Sequence, residues 1–285
     1  LPNAMKIGYK PKIIADFKDQ YVKEALILAL PVFVSVSVND INTIVNRNLA
    51  SGMGEGAASI LYYSNKMNTM IIGIFITAIT AIVFPILTKT LGSGDMKLGK
   101  KVMNASIKTV LFITVPATVG LIILARPIIE IAFVRGFFTM ADGIAATSTL
   151  RCYSLSLISI SVINVLNRIY YSIEDTKTPF YVGVTNVVIN VGLNLLVARH
   201  YGTNGLAASV SIATTIALFI SFILLKKKIG NLGTKSYIKA SIKTFMASIA
   251  MGVVSLSYFP YEKLIMSFTS GGMQTLLRLI LLMLI

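Results

Sequence analysis

From Pro31 to Thr69 the sequence sets amides, hydroxyls and isolated charges into stretches whose other residues are those of a hydrophobic helix. The run PVFVSVSV leads into Asn39, Asp40, Asn42, Thr43, Asn46 and Arg47. Asn39, Asn42, Thr43 and Asn46 recur at i, i+3, i+4 and i+7, which puts them on one face of a helix. Asp40, Thr43 and Arg47 line the neighbouring stripe. After the Gly-rich break SGMGEG, a second apolar run carries Asn65, Lys66, Asn68 and Thr69. Further on, Asn186, Asn190 and Asn194 repeat every four residues and make a third polar face. Such groups are expensive against lipid, so they are expected to face a bundle interior or a water-filled cavity. Their chemistry is recognition rather than bond-making, which argues for a transporter. Arg47, Lys66 and Asn42 suit an anionic, polar substrate. The amide oxygens of Asn46, Asn190 and Asn194, with the hydroxyl of Ser209, offer a hard cation such as sodium the oxygen ligands it wants, although no carboxylate stands among them.

Each of these residues also has a plainer reading, and the sequence leaves both open. Lys66 pairs with Asp40 or snorkels to an interface instead of meeting substrate. Arg47 lies close to a helix end and snorkels in the same way. Asparagines bridge helices in membranes as a structural device. Arg151 and Arg168, near opposite ends of one apolar run, read as interface anchors. Enzyme chemistry finds little support. His200 and Cys152 are single and far apart, with no zinc spacing, no Ser/His/Asp order and no phosphate loop. Asp40 alone is placed for metal–phosphate work, so no catalytic residue is assigned.

The elements that must hold these residues are membrane helices. The chain is 55% hydrophobic and 13% charged, with mean hydropathy +0.79, where a soluble protein carries about a quarter charged residues. Apolar runs long enough for the roughly 20 residues of a membrane helix recur throughout. The expected fold is all-α, a polytopic bundle of about eight spans near 25–50, 59–88, 105–125, 143–172, 179–198, 205–225, 238–258 and 272–285. Pro85 and Pro116 are expected to kink the second and third. Residues 1–24, basic and amphipathic, read as a linker on an anionic membrane surface. Residues 25–228 then form a six-helix lobe and 229–285 two additional helices, the last cut short. The sequence reads as part of a longer chain. With the N-terminus in the cytoplasm, inner loops carry 17 Lys and Arg and outer loops 4. That bias fixes the orientation and accounts for the net charge of +15 without nucleic acid.

INTIVNRNLASG (41–52), YYSNK (62–66), FVRGFFT (133–139) and YYSIEDTKTP (170–179) resemble the MurJ/MviN family, the lipid II flippases of bacterial peptidoglycan synthesis in the MOP exporter superfamily. In YYSIEDTKTP, Thr178 is expected as N-cap and Pro179 as an early helical residue. The resemblance implies that the spans match helices seven to fourteen of that family, its second lobe plus a C-terminal pair. It implies a lipid II substrate, lipid neighbours, a first lobe as partner, and residence in the bacterial cytoplasmic membrane. Lys66 falls where the family usually has a basic residue. Asn46, Asn190, Asn194 and Ser209 fall where some members bind sodium, so a sodium ion or membrane-potential coupling is the one cofactor it suggests. Exporters of other lipid-linked oligosaccharides or of drugs, and a non-transporting membrane scaffold of this fold, remain alternatives.

Overall fold

The computed structural model describes residues 19–230 and 234–256. Most of the basic linker at 1–24 and all of the last expected span, 272–285, lie outside the described residues. Within them the chain is helical, with no strand. Helix α1 (Gln20–Ser51) carries the first polar stripe. Its 32 residues rise about 48 Å at about 1.5 Å each. There follow α2 (Ala57–Gly92), α3 (Met96–Ile123), the short α4 (Ala125–Phe133), α5 (Met140–Ser172), α6 (Lys177–Ala198), α7 (His200–Ile229) and α8 (Thr234–Leu256). Among the described residues six helices are long and apolar enough to cross a membrane: α2, α3, α5, α6, α7 and the Lys239–Leu256 part of α8.

Helix α5 is the hub. It packs against α2, α3, α4 and the α6–α7 unit, and 61% of its most apolar window is buried, against 17% in α2 and in α6. Its buried Val162, Val165, Leu166 and Ile169 meet Met103 and Ile107 of α3 and Leu225 of α7 in the main apolar core. Burial of so central a helix requires its polar groups to find partners. Tyr170 donates its hydroxyl to the Ser221 carbonyl at 2.7 Å, Ser211 donates to the Cys152 carbonyl at 2.6 Å, and Thr149 donates to Asn204 Oδ1 at 2.8 Å. The opposite face of α7 exposes Ile212, Ile216, Phe219 and Ile223, a stripe at helical spacing that lipid rather than water suits.

Local sequence accounts for the breaks. Helix α6 runs into α7 with a kink just inside α7 at Gly202, at φ 55° and ψ −136°, a conformation open to glycine and costly for residues with a Cβ. Helix α2 continues through Pro85 and α3 through Pro116, so neither proline ends its helix. The irregularity of α2 falls instead at Ile72–Ile76, one π-helical turn, where the Thr77 hydroxyl reaches back to the Ile72 carbonyl at 3.3 Å. The start of α6 differs from expectation as well. The Asp175 carboxylate, not the Thr178 hydroxyl, caps it, accepting the Thr178 N–H at 3.0 Å. An aspartate has the reach and charge for the free N–H groups of a first turn, and Thr178 is already inside the helix. Helix α8 lies against α3. A Cβ on Gly252 would stand 2.9 Å from Ile123 Cδ1, so glycine permits that close approach.

Candidate functional site

A cavity of about 390 Å³ opens between α1, α2, α5, α6 and α7. Asn42, Thr43, Asn46 and Arg47 of α1 line one side. Tyr62, Asn65, Thr69 and Ile72 of α2 line another. On each helix these positions follow the 3.6-residue repeat, so each turns one edge to the same space. Ile72 is also the first residue of the π turn, whose extra residue resets which side chains below it face inward. Helix α5 contributes Asn164 and Asn167, α6 contributes Asn186 and α7 contributes Thr214. Six asparagines thus surround the cavity, and Arg47 is the charged residue among its described lining.

Arg47 is held from one side by an aromatic face. Its guanidinium carbon lies 5.4 Å from the Tyr62 ring centre, within cation–π range. That contact leaves the planar donor fork for a ligand. Arg47 and Tyr62 also line a second, more open pocket of about 220 Å³ with Ala58, Ser59 and Tyr63. Tyr63 is wedged between Phe133 and Phe138, ring centres 4.6 and 5.2 Å away. The FVRGFFT and YYSNK segments therefore meet in space. The loop turns back into α5 through a reciprocal cap, Thr139 with Asp142.

The residues singled out from sequence separate into three groups. Asn42, Asn46 and Arg47 line the cavity. Asn46, Asn190 and Asn194 come together: Asn194 Nδ2 donates to Asn46 Oδ1 at 2.6 Å and to Asn190 Oδ1 at 3.2 Å. Lys66 and Ser209 join neither set. Lys66 is exposed, one residue beyond the lining Asn65, and no ion pair joins it to Asp40. Ser209 is buried and donates to the Gly205 carbonyl of its own helix at 2.9 Å. Asn39 lies on α1, with its side chain outside the described ones. Asn68 of the second stripe is buried away from the cavity, donating to the Tyr153 carbonyl at 3.3 Å and to Ser156 Oγ at 3.1 Å. Arg168 stacks on Phe84 at 5.6 Å, and Arg151 donates to the Ile122 carbonyl at 3.1 Å, so both tie α5 to a neighbouring helix.

For sodium, the residue set fits poorly in this arrangement. The Asn46 and Asn190 oxygens already accept from the Asn194 amide, and the Ser209 hydroxyl faces its own helix. Among the described residues no group of three His, Cys, Asp or Glu gathers as metal ligands. Sequence reasoning missed Asn164 and Asn167. With Ile160 and Ile163 they recur at i, i+3, i+4 and i+7 and all four line the cavity, so the spacing rule applied to α1 would have found them on α5.

The family model described as lipid II flippase MurJ matches residues 1–281. A protein of Vibrio cholerae named a probable lipid II flippase MurJ is 33% identical over 251 residues, 88% of this chain and 47% of the relative. One of the same name from Haemophilus influenzae is 31% identical over 267 residues, 91% of this chain and 52% of its own. The chain thus spans about half the length of the curated relatives it matches. Among solved structures, lipid II flippase MurJ in an inward closed conformation aligns with TM-score 0.71 at 27% identity, covering 99% of this chain and 56% of that one. An outward-facing multidrug transporter of the MOP superfamily aligns with TM-score 0.63 at 15% identity over 90% of this chain and 61% of that one, a likeness of fold. The chain is a helical membrane protein and belongs to the lipid II flippase MurJ family.

Proposed function

We propose that this chain forms one lobe of a transporter that moves lipid II across the cytoplasmic membrane by alternating access, together with a second lobe for which its longer relatives have room. The observation that carries the reading is the amide-walled cavity with Arg47 at its edge, inside a bundle of membrane-length helices. A lipid-linked pyrophosphate sugar presents a compact anion and many hydroxyls. Arg47 matches the first, since an arginine fork recognises phosphate oxygens in pairs. The asparagine wall matches the second, each amide having both donors and an acceptor to offer. Two buried oxygens of that wall, Asn42 Oδ1 and Asn186 Oδ1, have no partner among the described residues and are free to accept from a substrate hydroxyl. Transport then follows from differential affinity of two lobe arrangements for the head group, with no covalent chemistry assigned to the chain.

Lys66 stands outside the cavity lining on the flank of α2 and is proposed as a second contact for the anion. The N-terminal end of the described chain is proposed to face the cytoplasm. In support, Lys228 pairs with Asp175, and Lys100 lies beside Gly230, so basic residues of the α3 start and the α7 end gather at one end of the bundle, as an inner face requires. The other transporters that share the fold do so at 15 to 17% identity, which carries no substrate.

The test is rescue of growth in a bacterium depleted of its own lipid II flippase by the protein that carries this chain. Rescue is expected, with Lys66→Ala impaired and Lys66→Arg active at matched membrane levels. If Lys66→Ala rescues fully, Lys66 has no part in the site. If the unaltered protein fails to rescue while present in the membrane, lipid II is not its substrate.

A further inference from the structure

Asn46, Asn190 and Asn194 meet where α1 crosses α6, and at most 6% of each remains exposed. A single amide makes the junction. Asn194 Nδ2 lies 2.6 Å from Asn46 Oδ1 and 3.2 Å from Asn190 Oδ1. An NH2 group has two protons, enough for both acceptors. The Asn194 nitrogen therefore occupies the place between two carbonyl oxygens that a bound cation would take. We propose that this trio is an ion-free latch, in which the Asn194 amide holds α1 to α6 where a sodium ion would otherwise be needed.

Three observations support the latch over an ion site. First, a cation needs carbonyl oxygens turned inward together. Turning all three would leave three buried NH2 groups searching for acceptors, and a buried donor without one carries its full desolvation cost. Second, of the unpaired buried atoms in the trio one is an acceptor, Asn194 Oδ1, and one is a donor, Asn190 Nδ2. A cation is served by the first and repelled by the second. Third, the trio is neutral, and the hydroxyl of Ser209 is spent on the Gly205 carbonyl of its own helix. Among the described residues only amides meet at the trio, and none supplies the negative charge that offsets dehydration of an ion in a buried place. The junction between α1 and α6 is consequently indifferent to sodium, whatever cargo the chain moves.

The test is thermal unfolding of the purified protein with sodium exchanged for choline at constant ionic strength. A ligand bound by the native state alone raises Tm with the logarithm of its concentration. The wild-type Tm is expected to be the same in both salts. Asn194→Ala is expected to lower Tm equally in both. Asn194→Asp removes the donor and sets a buried carboxylate against two amide oxygens, so it is expected to lose Tm in choline and regain it with sodium. Should Asn194→Asp fail to fold in either salt, the wild type and Asn194→Ala still decide. A saturable sodium-dependent rise in wild-type Tm that Asn194→Ala abolishes would overturn the latch, because the amide oxygens would then be ligands. An Asn194→Asp protein that folds and ignores sodium would contradict the placement of the nitrogen at a cation position.

Discussion

Asp175 shows how one residue joins three pieces of the chain. Burial on its own would push its carboxyl up, but the Lys228 ammonium and the Thr178 hydroxyl and N–H outweigh that and bring it below the ordinary 3.8. The same carboxylate caps α6 and pairs with the end of α7. Because the folded state keeps this group ionised to lower pH than the unfolded chain does, its contribution is fully present at neutral pH. It fades as pH falls through the ordinary carboxylate range and is gone below the depressed value. The Lys228 side chain is 45% exposed, so solvent screens the pair and the effect is small. Asp175→Asn is expected to lower Tm at pH 7, with the mutant and wild-type profiles converging as the solution is acidified. A constant gap at all pH values would mean that packing, not charge, holds the turn.

At the scale of elements, periodicity made the helices legible, and the polar stripes on α1 and α6 could be placed before any coordinates. Asn46 and Asn194 lie 148 positions apart, yet each stripe pointed inward by the same cost of an amide in lipid. What the sequence did not show follows from tertiary choices. Lys66 and Asn65 are adjacent, and one residue of helical rotation decides which enters the cavity. Such a rotation is below the few-residue precision of periodicity, the more so in a helix that contains a π turn. The role of Asp175 went unseen because capping depends on the turn geometry as well as on residue type. The bend between α6 and α7 depends on Gly202, where a Cβ would meet no atom within 4 Å. The cost of Gly202→Ala is therefore one of backbone strain alone, about 1–3 kcal/mol, and a loss of unfolding free energy in that range is expected. A neutral substitution would show that the bend relaxes freely.

For the whole molecule, the charge distribution and the packing point the same way. Residues 89–104 and 226–228 belong to the basic end of the bundle, and the FVRGFFT loop to the other. A topology reporter placed after Lys228 is expected to read as cytoplasmic and one placed at Arg135 as external. The reverse pair would invert the molecule and put the open pocket beside Tyr63 on the wrong side for release. The role proposed for the amide cavity with Arg47 is to receive lipid II. The most direct measurement is the amount of lipid II reaching the outer leaflet of cells depleted of their own flippase and supplied with the protein carrying this chain, unaltered or as Arg47→Ala. Export is expected to be restored by the unaltered protein. Arg47→Ala at equal membrane levels is expected to reduce it about tenfold or more, in keeping with the roughly 1.5–3 kcal/mol that hydrogen bonds to a charged group contribute. Undiminished export by Arg47→Ala would contradict the claim.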